Sequence, residues 1–164
     1  MKNKHNQKNC SEDYWKLEDS KVFGILGEIK TTRIGKKETS EWIAKSLEFE
    51  KKDVWENIKN EKLDIGILVH LNKKRYKTQD VDNIAKVILD SIKKNNSEIG
   101  LITDDSQIIR LLIHKKLREC SDKSDTDQVS ISIRKHDPKK DMKLIRSYTL
   151  MTKGEYFNQN VQKN

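Results

Sequence analysis

The stretch KKRYKTQDVDNIAKVILD, residues 73–90, decides how this chain is read. Lys73, Lys74, Arg75 and Lys77 crowd four cations into five residues, and Asp80 and Asp82 follow at i, i+2. An apolar stripe then begins. Ile84, Ile88, Ser91 and Ile92 fall at i, i+4, i+7 and i+8, widened by Val87 and Leu89, and this spacing predicts a helix over about 83–94. Lys93 and Lys94 fall in its last turn, where cations favour the negative end of the helix dipole. Just ahead of that helix the chain is expected to be extended, so the i and i+2 side chains of Asp80 and Asp82 point the same way, roughly 6–7 Å apart along the backbone. Asp82 also suits an N-cap. A cap accounts for one of the two acids and leaves Asp80 without a reason.

Outward from this stretch, strands are expected on both sides. KLDIGILVHL (62–71) alternates Leu63, Ile65, Ile67, Val69 and Leu71 toward one face, with Leu68 adding bulk on the other. Downstream, SQIIRLLIHKKL (106–117) and DQVSISIRKH (127–136) read as two strands joined by a polar hairpin loop that begins at Arg118. Upstream, KVFGILGEI (21–29) has the apolar density of a strand, with Gly24 and Gly27 marking a bend. A basic loop, TTRIGKKE, leads to a helix over about 41–59, capped by Thr39 or Ser40 and facing inward with Trp42, Phe49, Val54, Trp55 and Ile58. The order strand, helix, strand, helix, strand, strand predicts a single α+β domain over 21–136, with a small mixed β-sheet and two main helices. Residues 1–20 read as a polar, loose N-terminal arm. Residues 137–164 read as a basic C-terminal extension, with one short strand around Leu144–Met151.

Composition narrows the partners. Charged residues make up 37% of the 164, the net charge is +8, and the mean hydropathy is −0.90 with a pI near 9.3. Such a balance points to a polyanionic partner, nucleic acid above all. No apolar run approaches the roughly 20 residues needed to span a bilayer. The N-terminus lacks the apolar segment of a secretory signal. Cys10 and Cys120 belong to no CxxC pair, as expected of free thiols in a reducing, cytoplasmic setting. His5, His70, His114 and His136 fall at no zinc spacing. DKSDTD, with Asp122, Asp125 and Asp127, lacks the glycine and the bidentate glutamate of a calcium loop.

A second acidic pair, Asp104–Asp105 in TDDSQIIRLLIH, opens the strand that follows the helix. Either pair alone reads as a cap or a solvated strand end. Together they suggest a site, because crowded carboxylates repel one another until a hard divalent cation offsets that cost. Such a cation polarises a phosphoryl group and acidifies the attacking water, the chemistry of phosphodiester hydrolysis. Lys86, at i+4 from Asp82, and Asp90, at i+4 again, share one helix face. Lys86 is placed either to make an ordinary surface ion pair or to meet charge on a scissile phosphate. Because carboxylates repel a DNA backbone, the cations of 73–77 then have a purpose, with Arg33, Lys36, Lys37 and His114–Lys116 extending the same surface. Tyr76 is placed to stack on an unpaired base or is incidental.

The combination resembles the RusA-type Holliday junction resolvases, endonucleases common in bacteria and prophages. The resemblance rests on a basic run, Asp-x-Asp-Asn, a lysine three residues on, a further aspartate, and then Asp-Asp-x-Gln-Ile: Asp80, Asp82, Asn83, Lys86, Asp90, Asp104, Asp105 and Gln107. It covers about 36 residues closely, Lys73 to Ile108. It implies that Asp80, Asp82 and Asp105 hold Mg2+ (or Mn2+ as a substitute), with Asp104 as a further ligand and Lys86 assisting. Asn83, Asp90 and Gln107 would play supporting parts, and Lys73, Lys74, Arg75, Lys77 and Arg33 would bind DNA. It implies a homodimer that resolves branched DNA, four-way junctions, by paired cuts in recombination and repair. Two features depart from the family. The only proline is Pro138, so GEIKTTRIGKK stands in place of a proline-rich loop, and neither terminal segment has a family counterpart. The alternative is a non-catalytic DNA-binding module whose acids only cap and solvate.

Overall fold

The computed structural model describes residues 14–26, 29–31, 58–93, 100–118 and 127–147, together with 35, 37–41 and 43. In chain order its elements are β1 Tyr14–Leu17, β2 Lys21–Leu26, β3 Leu63–Leu71, α1 Lys73–Thr78, α2 Val81–Ser91, β4 Ile108–Leu117, β5 Gln128–Lys135 and β6 Leu144–Ser147. The fold is the expected mixed α+β domain, built on a four-stranded sheet in the order β2-β5-β3-β4. No helix among the described residues is long and apolar enough to cross a membrane.

β3 is buried at all nine positions, not on one face alone. It lies inside the sheet, antiparallel to β5 on one side and parallel to β4 on the other. Ile65 and Ile67 sit opposite Ile133 and Ile131 of β5, and this face packs on Ile84, Val87 and Ile88 of α2. The other face meets β1. There Leu17 N donates to Ser132 Oγ at 3.1 Å, and Ser132 Oγ donates to the Gly66 carbonyl at 3.2 Å. A Cβ on Gly66 would lie 2.7 Å from Ser132 Oγ and 2.8 Å from Leu17 Cγ, so only glycine admits this approach. β1 is itself paired antiparallel with β6 in a second, two-stranded sheet.

Several boundaries differ from the sequence expectations. The segment read as a loose arm contains β1, which ends in the buried Leu17; the short strand expected near residue 144 is β6, its partner. β4 and β5 do not form a hairpin, because each pairs with β3 instead. The parallel β3–β4 pair leaves β4 at the sheet edge, half-exposed along its length rather than buried. Residues 37–41 are already helical, so Thr39 and Ser40 lie inside a helix and do not cap one, and Thr39 Oγ1 accepts from Lys30 N at 3.0 Å. The rest of the expected 41–59 helix falls outside the described residues.

One charge at the heart of the sheet binds its strands together. Asp64, on β3, is fully buried. Its carboxylate accepts from Arg110 Nε of β4 at 2.8 Å, from Arg134 Nε of β5 at 3.1 Å and from His136 Nδ1 at 2.8 Å. The two guanidinium groups reach on to carbonyls of the 137–141 turn and to Glu18, so one carboxylate organises four chain segments. Burial pushes the Asp64 carboxyl up, but hydrogen bonds from Arg110, His136 and Arg134 outweigh it and lower it from 3.8 to about 2. A depressed carboxyl contributes stability that is present above its ordinary value and lost as pH falls toward the folded one. Asp64→Asn is therefore expected to lower unfolding free energy by at least about 2 kcal/mol at neutral pH. The gap between wild type and variant should narrow as pH drops from about 4 toward 2, measured by denaturant titration at each pH.

Candidate functional site

The basic run folds as a short helix rather than a loop. Asn72 caps α1, its side chain accepting from Arg75 N at 3.0 Å. Lys73, Lys74 and Lys77 point to solvent. Arg75 does not. It turns inward, forms an ion pair with the fully buried carboxylate of Asp127 and donates to the Ile29 carbonyl. Asp127 also accepts from Asn72 N at 3.3 Å. These contacts correct two expectations: Arg75 spends its charge on architecture instead of on DNA, and Asp127 is a buried anchor rather than part of a solvated loop. Arg33, the remaining candidate DNA contact, lies outside the described residues, as do Asp122 and Asp125.

α2 begins at Val81, two residues earlier than the apolar stripe suggested. Asp80 therefore holds the N-cap position, with extended backbone (φ −79°, ψ 131°), and Asp82 lies in the first turn instead of capping it. The Asp80 side chain makes no capping hydrogen bond. Both carboxylates are exposed beside the positive end of the helix dipole, which favours them ionised. The junction that carries them is pinned to the sheet: Lys115 Nζ of β4 donates to the Tyr76 and Gln79 carbonyls at 3.0 and 2.9 Å and lies 5.1 Å from the Tyr76 ring centroid. Asn83 and Lys86 are exposed on the next turns.

At the other end of α2 a second acidic group gathers. The Ile92 carbonyl accepts from Leu101 N and Ile102 N, tying the helix end to the returning chain. Lys93, just beyond, contacts Asp105 Oδ2 at 2.6 Å and Asp90 Oδ1 at 3.5 Å. The hydrogen bond to Asp105 raises the Lys93 ammonium above its ordinary value. Asp104 caps the short turn that follows, accepting from Ser106 N at 2.7 Å, and this bond holds its carboxyl below the usual range. Gln107 is buried and fixes that turn. Its Nε2 donates to the Lys59 and Glu61 carbonyls, and its Oε1 accepts from Thr103 N and Oγ1, each at 2.6 Å. Asp104 and Gln107 thus build the turn, and Asp105 is left presenting its carboxylate.

The four acids do not converge within one chain. Asp80 stands at the start of α2 and Asp105 at its end, and eleven residues at 1.5 Å each separate them by about 16 Å. Among the described residues no group of three or more His, Cys, Asp or Glu side chains is close enough to hold a metal ion. Lys93 and Lys115, which position the two acidic groups, carried no distinguishing mark in the sequence; Lys93 sits beside Lys94 in the same basic pair.

Residues 30–134 match the family described as endodeoxyribonuclease RusA. No curated protein matches the chain. The matched span holds β3, both helices, β4 and most of β5, with every aspartate discussed above.

The contrast within the basic run is testable. Arg75→Ala leaves Asp127 buried without its partner and should destabilise the protein by about 3 kcal/mol, whereas Lys74→Ala should change stability by less than about 0.5 kcal/mol. Thermal and denaturant unfolding of the two variants side by side checks this.

Proposed function

The chain belongs to the endodeoxyribonuclease RusA family, and on that premise we propose that it is a divalent-metal-dependent, structure-specific endonuclease that resolves four-way DNA junctions as a homodimer. The observation that carries the reading is the exposed pair Asp80 and Asp82 at the end of a helix whose lysines face solvent. Two carboxylates of this kind fit Mg2+, which takes one or two carboxylate oxygens and fills its remaining positions with water and substrate phosphate. The unused capping capacity of Asp80 agrees with such a role. Bound there, Mg2+ (or Mn2+) would polarise the phosphoryl group and lower the pKa of the attacking water.

The chain's own residues do the rest. Lys73, Lys74 and Lys77 draw the phosphate backbone toward carboxylates that would otherwise repel it. Lys86, one turn on from Asp82, meets the charge that develops on the scissile phosphate. Asp105 lies too far from Asp82 to share an ion with it in the same chain, so its part in cleavage is played across the dimer. Asp80 and Asp82 of one chain work with the partner's Asp105, and a two-fold axis provides two equivalent sites for two opposed cuts. Gln107 and Asp104 act as positioning residues for Asp105, and Asn83 and Asp90 support the helix face between the two ends.

A labelled synthetic four-way junction, incubated with Mg2+, should receive paired nicks near its branch point, while linear duplex stays intact and omission of Mg2+ abolishes cutting. Asp82→Asn and Asp105→Asn should each reduce cleavage on the order of 10³-fold with junction binding retained. Binding without cleavage by the wild-type protein would mark a non-catalytic DNA-binding module instead, and equal cutting of linear duplex a general nuclease.

A further inference from the structure

The outer edge of β4 is the most conspicuous surface that the site does not use. Ile109, Leu111 and Leu117 are 46%, 40% and 38% exposed, and with Tyr76 they make up the exposed large hydrophobic residues among those described. All three lie on one ten-residue strand that ends the sheet order, where edge strands are normally short, charged or covered. The strand is also polar along its length in a particular sense. Asp104 and Asp105 stand at its start, Lys115 and Lys116 close its end, and the apolar residues lie between.

We propose that β4 is the dimer interface: a second copy of the chain pairs antiparallel along this edge, joining two four-stranded sheets into one of eight strands. Antiparallel self-pairing is the arrangement a two-fold axis produces from one strand. It sets the acidic start of each β4 beside the basic end of the other, and it covers the exposed Ile109 and Leu111 of both. A parallel partner would set acid on acid and base on base. The same pairing has a consequence for the active site, and here it rests on the nuclease reading given above. Lys115 near the end of β4 is bonded to the Gln79 carbonyl, immediately before Asp80, whereas Asp105 immediately precedes the strand. Reversing one copy against the other therefore carries the partner's Asp105 toward the end of the sheet where Asp80 and Asp82 stand.

Sedimentation equilibrium of the full chain, with Ile109→Lys/Leu111→Lys beside wild type, tests the interface without DNA. Wild type should be a dimer, and the variant should keep its circular dichroism spectrum while associating at least tenfold more weakly. In a Cys10→Ser/Cys120→Ser background, Leu111→Cys should be joined to a dimer by a short bis-maleimide, and Lys139→Cys should not. A monomeric wild type, undiminished association of the double variant, or failure of Leu111→Cys to cross-link would overturn the proposal. A β4-independent dimer that still cuts junctions would leave the nuclease standing, whereas a β4 dimer that cuts none would leave only the interface.

Discussion

Two parallel neighbouring strands cannot be joined by a tight turn; the chain must travel back along the sheet before the second strand can start. In this protein β3 and β4 are that pair, and α2 makes the return. Everything about the acidic residues follows from it. The segment that enters α2 lies at the end of β3, and the segment that leaves α2 lies at the start of β4. The Asp80–Asp82 and Asp104–Asp105 pairs are close in sequence and share a family motif, yet the crossover holds them a helix length apart. A single copy thus carries two half-sites, and a nuclease that needs both is committed to working with a second copy.

The charges in this chain divide into two populations. Arg75, Arg110 and Arg134 are turned inward onto Asp127 and Asp64, where planar guanidinium groups can satisfy a buried carboxylate with several directed hydrogen bonds. Lys73, Lys74, Lys77 and Lys86 stay in solvent, where a flexible ammonium can follow a phosphate backbone. The high formal charge of +8 therefore overstates the cationic surface contributed by arginine and leaves the DNA-facing part to lysine. Gln107 follows the same logic within the acidic motif. It belongs there because four backbone groups and one hydroxyl need a buried amide, and Asp105 is aimed as a result.

The central elements could be read from periodicity. The apolar run of β3, the stripe of α2 and the alternations of β4 and β5 report which residues are buried, and burial is what an apolar pattern records. The parts that were misread depend on information that pattern does not contain. The pairing of β4 and β5 with β3, rather than with each other, is a long-range choice. The start of α2 two residues early is decided by Asp80 and the pinned α1–α2 junction, not by the apolar stripe. Arg75 looked like its lysine neighbours because the carboxylate that turns it inward lies 52 residues further along the chain, at Asp127. Asp64 gave no sign of its burial for the same reason, since Arg110 and Arg134 reach it only once the sheet has formed. The motif itself marked the acids, and its spacing in sequence suggested one cluster where the fold makes two.

Mixed dimers test most directly whether those two clusters act together across chains. Tagged Asp82→Asn and Asp105→Asn chains, co-expressed and purified as a heterodimer, would contain one site carrying both substitutions and one site carrying neither if each site draws on both copies. That heterodimer should nick one strand of a four-way junction at a rate approaching that of one wild-type site, although both parent homodimers are inactive. If Asp82 and Asp105 instead served within the same copy, every site in the heterodimer would be damaged, and the absence of any nick would contradict the account.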